Sequence, residues 1–309
     1  MRPSSTVQDV VSKLGDPLWW KWRIMDHVNR PVMRRTSPQG LDIMSEDWDN
    51  LVILDACRAD TFEAVVQTDR FDAYRRVISR GSATEEWIRR NFVNREFGDT
   101  VYVTGNPTVS DLASESFYAL IEVWRTEFDE KTGTVLPGPI IESALGARQD
   151  YVDKRLIVHF MQPHIPFLEQ DDLDYNFPAM GGADRRSRRD VANPWQALER
   201  GLLDVRRVRR AYEANLESVI DEVLEFASDL SGRTVITSDH GNAFGERAYP
   251  VPIKVYGHPP EVPIRPLLVV PWAVIEGRRI SIREGRRRST SEAPSTEVEE
   301  RLQQLGYVG

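Results

Sequence analysis

Short aliphatic runs that alternate with helical patterns constrain the fold of this 309-residue chain more than any other feature. In the clearest run, residues 50–56, Leu51 to Leu54 are all aliphatic and Asp55 follows directly. A continuous run of this length is typical of a strand that is buried on both faces of a parallel sheet. Similar runs lie at residues 76–79, 100–104, 155–161, 233–238 and 265–272.

The strongest helical pattern covers residues 204–230. Its apolar residues recur every three or four positions and line one stripe: Val208, Tyr212, Leu216, Val219, Ile220, Val223 and Leu224. Strands that alternate with helices predict an α/β fold, with a mostly parallel, doubly wound sheet and helices on both faces.

The rest of the chain flanks or interrupts this α/β domain, which we place at residues 48–275. Residues 1–47 are predicted to form a Trp-rich arm or helix and a polar linker. Residues 168–200 show neither a strand nor a helix period and are predicted to form an excursion. Residues 276–309 are predicted to be a polar tail that ends in a short helix over residues 295–305.

Within the arm, residues 17–35 mix tryptophan with basic residues at a spacing that a helix can sort into faces. The favoured interpretation is a helix that packs over the main domain, because aromatic stripes usually mark core contacts. The alternative is peripheral contact with a membrane surface.

Composition restricts the class of protein and its location. Acidic residues outnumber basic ones by 48 to 40, which gives a net charge of −8. This argues against nucleic-acid binding, because neutralising the phosphates requires an excess of Lys and Arg. The single cysteine, Cys57, excludes an intrachain disulfide and a cysteine metal cluster. No apolar run approaches ~20 residues, and residues 1–16 lack the apolar core of a secretory signal. We therefore expect a cytoplasmic protein.

Polar side chains follow the predicted strands at the sheet edge where α/β proteins bind ligands. Four of the five histidines belong to this set. The set comprises Asp55, the segment Gly81-Ser-Ala-Thr84, His159, His164, the segment Ser238-Asp-His-Gly241, and His258.

Four of these side chains predict a metal site: Asp55, Thr84, Asp239 and His240. Two carboxylates, an imidazole and a hydroxyl suit one divalent ion such as Zn, Mn or Mg. Such an ion would stabilise the alkoxide of Thr84 for attack on phosphorus or sulfur. His164 and His258 are predicted to contact the transferred group or to protonate the leaving oxygen, and Arg58 to orient that group or to anchor Asp55.

In this order along the chain, the motifs resemble the alkaline phosphatase and sulfatase superfamily. The resemblance rests on residues 50–60, on Val158-His-Phe-Met-Gln-Pro-His-Ile-Pro166, on Val235-Ile-Thr-Ser-Asp-His-Gly-Asn-Ala-Phe-Gly-Glu246, on Gly257-His258 and on residues 302–308. It implies a three-layer sandwich like that of alkaline phosphatase. It also implies hydrolysis or transfer of a phosphate or sulfate ester through a covalent enzyme intermediate.

The sequence departs from the superfamily pattern at several positions, and these departures restrict the expected reaction and the expected number of metal ions. No Cys-x-Pro-Ser-Arg segment exists, so the formylglycine chemistry of sulfatases is not expected. The segment that ends in Thr84 instead resembles the nucleophile segment of phosphoethanolamine transferases and lipoteichoic acid synthases, where a threonine is nucleophile and metal ligand. Asn242 stands where Glu is common, and the extra Asp and His of a full second metal site are missing, which favours one ion over two.

Several alternatives stay open on sequence alone. The chain could be a sulfuric ester hydrolase without formylglycine, or an inactive superfamily member that binds an anionic glycan. The substrate is predicted to be an anionic ester, such as a glycan or a lipid-linked polymer. A haloacid-dehalogenase-like site is excluded, because it needs a second Asp where Cys57 stands.

Simpler structural roles compete at two positions. His159 lies inside an apolar run and is interpreted first as a core histidine and only second as a ligand. Ser82 and Glu85 match a capping box, which would place Thr84 in the first turn of a helix. Backbone N–H groups there favour a bound anion, whereas Glu85 and Glu86 are expected to repel one.

Overall fold

A seven-stranded sheet forms the centre of the structure, a computed structural model that describes residues 14–168, 173, 191 and 193–286. The order across the sheet is β2-β11-β8-β1-β7-β3-β4. Its strands are β1 (Asn50–Asp55), β2 (Ala73–Ile78), β3 (Phe97–Thr104), β4 (Phe117–Glu122), β7 (Arg155–Pro163), β8 (Thr234–Thr237) and β11 (Val269–Ile275). Two short ribbons pair β5 (Phe128–Asp129) with β6 (Thr134–Val135), and β9 (Ala243–Ala248) with β10 (Ile253–Gly257).

Strand β1 lies at the middle of the sheet, and all six of its residues are buried. It pairs in parallel with β7 on one side, where Asn50 lies opposite Leu156, and with β8 on the other, where Asn50 lies opposite Thr234. Strand β11 runs antiparallel to both of its neighbours. The predicted mostly parallel, doubly wound α/β sheet is confirmed.

Helices pack on both faces of this sheet and, near the N-terminus, over the β9–β10 ribbon. They are α1 (Pro17–Ile24), α2 (Arg30–Thr36), α3 (Ala59–Val65), α4 (Thr84–Asn91), α5 (Pro107–Ala113), α6 (Pro137–Asp150), α7 (Pro194–Glu199), α8 (Val205–Asp229) and α9 (Arg265–Leu268). None of the helices in the described part of the chain has the length and apolar character needed to cross a bilayer.

Alternation along β1 divides the core into two layers. Val52 and Leu54 pack with the apolar residues of α6 and α8, whereas Leu51 and Ile53 pack with those of α4 and α5. Each fully buried aliphatic side chain of this kind contributes about 1.5–3 kcal/mol. The continuous aliphatic run is therefore the sequence signature of a strand with two apolar faces.

Three details of the sequence reading are corrected. Residues 265–272 do not form one strand, because α9 occupies the first four of them and β11 begins at Val269. The linker between the arm and β1 is not simply polar, since Ile43, Met44 and Trp48 are buried in the core beside Leu51. Residues 194–199 of the excursion form a helix. Most of the excursion and residues 295–305 lie outside the described residues.

The N-terminal arm packs over the β9–β10 ribbon. Between α1 and α2 lies a five-residue π-helical segment, Met25–Asn29. Pro31 accounts for this wider turn, because its ring lacks an N–H and crowds the carbonyl four residues earlier. Met25 and Met33 are buried against the ribbon, and Asn29 exchanges two hydrogen bonds with the backbone of Val251 (2.8 and 3.0 Å).

The turn after β1 is held by a side chain from α8. Ala56 has a φ of +59°, a conformation that costs roughly 1–3 kcal/mol for a non-glycine residue. The buried hydroxyl of Tyr212 donates to the Ala56 carbonyl at 2.6 Å and accepts from the Arg58 N–H at 2.9 Å. A single side chain thus satisfies both backbone groups that flank Cys57.

Tyr212→Phe should reduce the free energy of unfolding by about 1–3 kcal/mol, because it leaves a buried carbonyl and a buried N–H without their partner. Urea unfolding followed by circular dichroism measures the change. Tyr249→Phe is the control, since Tyr249 is 61% exposed. Equal stability of the two variants would contradict this account of the turn.

Candidate active site

Thr84, Asp239 and His240 meet at the carboxyl edge of the sheet. The Thr84 hydroxyl lies 2.7 Å from Asp239 Oδ2 and 3.1 Å from His240 Nε2. Asp55 ends β1 beside them, and one of its carboxylate oxygens lies within 4.8 Å of one from Asp239. All four side chains are at most 1% exposed. The structure therefore brings Thr84, Asp239 and His240 into contact, with Asp55 beside Asp239. The three ligand atoms that lie within 4.8 Å of one another belong to Asp55, Asp239 and His159, and His240 lies outside that set.

Asp239 is oriented by backbone N–H groups that follow strands β1 and β8. Its Oδ1 accepts hydrogen bonds from the N–H groups of Ala56 and His240, both at 2.9 Å. The neighbouring Ser238 hydroxyl accepts from the Cys57 N–H at 2.8 Å. The turns after β1 and β8 are thereby tied to each other, and Oδ2 is left on the side of Thr84.

Thr84 is the first residue of α4, as the sequence predicted. The capping pattern differs, because Glu86 rather than Glu85 bonds back to the N–H and hydroxyl of Ser82 (2.8 and 2.9 Å), and Ala83 is the N-cap. Glu86 also pairs with Arg90, and Glu85 pairs with Arg89. Both carboxylates are thus compensated, which weakens the repulsion expected for an anion at this helix end.

Three imidazoles at this edge are fixed through Nδ1. The acceptors are the Gly241 carbonyl for His240 (2.8 Å), the Ile165 carbonyl for His164 (2.7 Å) and Asn242 Oδ1 for His258 (3.0 Å). An oxygen acceptor requires the proton to be on Nδ1, so Nε2 carries the lone pair. A histidine whose Nδ1–H is bonded to an oxygen in this way presents Nε2 in a fixed direction, which is typical of histidines that bind a metal ion or a proton.

His164 and His258 lie side by side next to the Thr84 group. Their Nε2 atoms are 3.4 Å apart, and the His258 ring centroid is 4.7 Å from that of His240. Burial lowers the pKa of His164, and burial together with the neighbouring imidazoles lowers the pKa of His258 well below its usual value. Both rings are therefore neutral near pH 7.

His159 belongs to the site, although the sequence reading ranked it first as a core histidine. A ring nitrogen of His159 lies within 4.8 Å of carboxylate oxygens of Asp55 and Asp239. Its Nδ1 contacts the Tyr102 hydroxyl at 2.9 Å, and its Nε2 has no hydrogen-bond partner among the described residues. The available sequence signal was a lone ionisable residue within an apolar strand, close to the strand's carboxyl end.

Asp55 is held by Asn106, which the sequence did not reveal, and lies beside His159, which was the minor ligand candidate. Asn106, the N-cap of α5, donates to Asp55 Oδ2 at 2.7 Å, and His159 Nε2 lies 3.6 Å from the same oxygen. Burial alone would raise the pKa of Asp55, but the His159 ring, with His164 and His240, holds it far below its usual range. Asp55 is therefore ionised at neutral pH.

Arg58 has partners other than the expected ones. Its Nε and Nη2 donate to Asp60 (2.7 and 2.6 Å), and its Nη1 donates to the Asn242 carbonyl and to Glu246 (2.9 and 2.6 Å). The guanidinium is therefore committed to the turn that carries Asn242, and no bond joins it to Asp55. We correct the expectation accordingly: the geometry makes Arg58 a residue that positions this turn.

A second positioning contact fixes the loop that carries His164. Asn215 of α8 donates from Nδ2 to the carbonyls of Pro163, His164 and Pro166 (3.2, 3.0 and 3.3 Å), and its Oδ1 accepts from the Leu168 N–H at 3.0 Å. Asn215 is 3% exposed. One buried amide thus holds the backbone on both sides of His164.

The donor set fits a divalent cation. Asp55 and Asp239 are completely buried, and an oxygen of each lies within 4.8 Å of the other and of a ring nitrogen of His159. Carboxylate oxygens, imidazole nitrogens and a hydroxyl are ligands that Zn and Mn accept. The pair of buried, converging carboxylates is the observation that supports the binding of a divalent cation by these side chains.

No protein-family model and no curated protein matches this chain. Solved structures do show similarity. The soluble domain of lipooligosaccharide phosphoethanolamine transferase A from Neisseria meningitidis is 14% identical (TM-score 0.43; 73% of this chain, 75% of that one). The zinc complex of the C-terminal periplasmic domain of EptC from Escherichia coli is 16% identical (TM-score 0.44; 78% and 76%).

A third similar structure is the integral membrane protein form of the Neisseria meningitidis transferase (13% identity, TM-score 0.46). The match covers 88% of this chain and 55% of that one. The chain resembles phosphoethanolamine transferases. At these identities the similarity concerns the fold alone.

The expected cytoplasmic location was wrong. Among the similar structures are C-terminal periplasmic domains of EptC from Escherichia coli and Campylobacter jejuni. The composition of this chain had supported the expectation only through its single cysteine and the lack of a long apolar run, and neither feature determines a compartment.

Asp60→Asn should lower the free energy of unfolding by about 1–3 kcal/mol near pH 7, because it breaks the paired hydrogen bonds to the buried Arg58. Burial alone would raise the pKa of Asp60, but Arg58, together with Arg209, lowers it. The ionised Asp60 therefore adds stability above the pKa of the unfolded chain, and this is lost as pH falls through the lower folded pKa.

The difference between wild type and Asp60→Asn should thus shrink below about pH 4. Urea titrations at several pH values measure it. Asp69→Asn is the control, because Asp69 is exposed and makes no ion pair within the described residues. A difference that persists unchanged down to pH 2 would contradict this role of Asp60.

Proposed function

We propose that this chain transfers or hydrolyses phosphate or sulfate esters in a metal-dependent reaction, with Thr84 as the covalent nucleophile. The observation that carries the proposal is the Thr84 hydroxyl, which lies at the start of α4 within hydrogen-bond distance of both Asp239 and His240. A threonine hydroxyl is a weak nucleophile and needs such neighbours to lose its proton.

Asp55, Thr84, Asp239 and His240 would hold the divalent ion, and His159 is a further candidate ligand. Zn, Mn and Mg all remain candidates, and one ion is favoured. When bound, the ion would supply positive charge that stabilises the Thr84 alkoxide and the oxygens of the ester. The loss of the second-site ligands common in the superfamily supports the single ion.

Two atoms are placed to take the Thr84 proton. Asp239 Oδ2 is the closer one, and its carboxylate accepts the present hydrogen bond. His240 Nε2 is the alternative, since its Nδ1 proton is bonded to the Gly241 carbonyl. Thr84 Oγ1 then forms a bond to phosphorus or sulfur, the bond to the leaving alcohol oxygen breaks, and that oxygen takes its proton from water.

Binding of the tetrahedral group would use the N–H groups in the first turn of α4, which point away from the helix and favour an anion. His164 and His258 contribute neutral rings with the lone pair on Nε2. In the second half of the reaction these atoms can take a proton from water or from an acceptor hydroxyl that attacks the Thr84 ester.

The acceptor and the substrate define the remaining alternatives. A glycan or a lipid-linked polymer would make the protein a transferase, and water would make it a hydrolase. A sulfuric ester hydrolase without formylglycine and an inactive binder of an anionic glycan are the competing proposals. The ion pairs of Glu85 and Glu86 favour catalysis over the inactive binder, because they reduce the negative charge beside Thr84.

Thr84→Ala should lower turnover of p-nitrophenyl phosphate or p-nitrophenyl sulfate by at least about a thousandfold, because the covalent step is lost. The phosphate-to-sulfate ratio of the wild type separates the two ester classes. Thr61→Ala is the matched control, since Thr61 is equally buried and its hydroxyl has no hydrogen-bond partner among the described residues.

Intact-mass measurement after rapid acid quench should show a phosphorylated or sulfated Thr84 in the wild type and in Thr61→Ala, and none in Thr84→Ala. A wild type that binds the ester but never forms the adduct would favour the inactive binder.

Asp239→Asn should lower bound metal and ester turnover together, because it removes a charged ligand and the hydrogen-bond acceptor of Thr84. Metal content after dialysis, measured by inductively coupled plasma mass spectrometry, gives a readout that is independent of activity. Asp111→Asn is the control, because Asp111 is exposed on α5. Undiminished turnover in a metal-stripped Asp239→Asn protein would refute the site.

A further inference from the structure

The outward face of the N-terminal arm carries a concentration of exposed apolar side chains. We define this arm face by Trp20, Val28 and Val32, which are 47%, 41% and 42% exposed, with Leu14 (48%) at its start. The described chain has eight large apolar residues that are exposed to this degree, and half of them lie here. Scattered apolar residues need no explanation, but a cluster on one helix face indicates an interaction surface.

The opposite face of the same arm is firmly docked. Met25 and Met33 are buried against the β9–β10 ribbon, and Asn29 is bonded to the backbone of Val251. Lys21 pairs with Glu199 of α7, which adds a second attachment. The arm face is therefore held outward by contacts on the inner side and does not depend on a loose helix end.

The charge of the arm is opposite to that of the whole chain. Residues 17–36 contain five basic residues and one acidic residue, whereas the chain as a whole has a net charge of −8. Arg23 and Arg35 are exposed and make no ion pair within the described residues. Positive charge next to exposed tryptophan and valine is the combination that interfacial helices present to anionic lipids.

We propose that the arm face docks the protein on a lipid surface that carries anionic headgroups. Trp20, Val28 and Val32 would enter the boundary between headgroups and acyl chains, and Arg23 and Arg35 would remain at headgroup level. Of the three tryptophans in helix α1, Trp20 is the exposed one, and tryptophan favours this interfacial depth.

Docking in this way would fix the position of the active site relative to the surface. The ribbon under the arm joins Asn242, which precedes β9, to His258, which follows β10. The same ribbon therefore contacts the arm on one side and supplies His258 to the site. The proposal does not depend on the ester chemistry, since it rests only on the exposure, anchoring and charge of the arm.

Co-sedimentation of the full chain with sucrose-loaded vesicles tests the proposal. The wild type should bind vesicles of equal phosphatidylglycerol and phosphatidylcholine at least tenfold more tightly than vesicles of phosphatidylcholine alone. Val28→Asp combined with Val32→Asp should weaken binding to the anionic vesicles at least tenfold. Arg23→Gln combined with Arg35→Gln should weaken it severalfold and reduce its salt dependence.

Val152→Asp combined with Leu202→Asp is the matched control, because these residues are 66% and 52% exposed outside the arm. This variant should bind within twofold of the wild type. All variants should keep the wild-type melting temperature and turnover of a soluble ester, so a failure of catalysis is distinguishable from a failure of docking.

Two results would overturn the proposal. One is that the wild type binds neither kind of vesicle, or that the control variant loses as much binding as the Val28/Val32 variant. The other is self-association: light scattering that shows a wild-type dimer which the Val28/Val32 variant dissociates, with vesicle binding unchanged, would identify a second copy of the chain as the occupant of the arm face.

Discussion

The carboxylate of Asp239 connects the parts of this structure that the candidate site requires. One oxygen accepts from the backbone of Ala56 and of His240, and the other accepts from Thr84. The turns after two neighbouring strands and the first residue of α4 are thereby joined through one buried group. A carboxyl group at zero exposure is costly to bury unless its oxygens are hydrogen-bonded, so these contacts account for the order of the site.

Around this junction, neighbouring groups fix the imidazole rings and the loops of the candidate site. Backbone carbonyls and Asn242 fix the Nδ1 protons of three imidazoles, and Asn215 fixes the loop of His164. Arg58 holds the turn of Asn242, and Tyr212 holds the backbone of Arg58. Such orientation means that little reorganisation is needed during reaction, which is a main source of rate enhancement in group transfer.

The sequence predicts the secondary structure and the position of a strand in the sheet where a local pattern is compatible with only one structure. The aliphatic run before Asp55 can be buried on both sides only in the middle of a covered sheet, and the stripe along residues 204–230 matches α8 almost to the residue. Asp55, Asp239 and His240 were found because they end strands whose direction was predictable. The β9–β10 ribbon was missed because its sequences mix polar and apolar residues without a period. Strand β4 was also missed, although its first five residues are apolar and it is as long as β1.

Other parts of the site depend on contacts that no local pattern encodes. His159 was ranked first as a core residue because its neighbours Val158 and Phe160 are apolar, yet alternation along the strand places its ring on the other face from theirs. The partners of Arg58 come from residues 60 and 242–246, and only the fold shows that they are adjacent. The sequence predicts for the arm either a helix packed over the main domain or a helix in peripheral contact with a membrane surface. The structure shows the packed face, and the exposed face allows the second role as well.

X-ray diffraction from crystals soaked with manganese or zinc, with data collected on both sides of the metal absorption edge, tests the central claim most directly. The account predicts one strong anomalous peak within about 2.0–2.3 Å of carboxylate oxygens of Asp55 and Asp239, with an imidazole nitrogen of His240 or His159 completing the ligands and the Thr84 hydroxyl beside them. A fully soaked, well-ordered crystal with no anomalous peak between the two carboxylates, or with its only peak elsewhere, would contradict it.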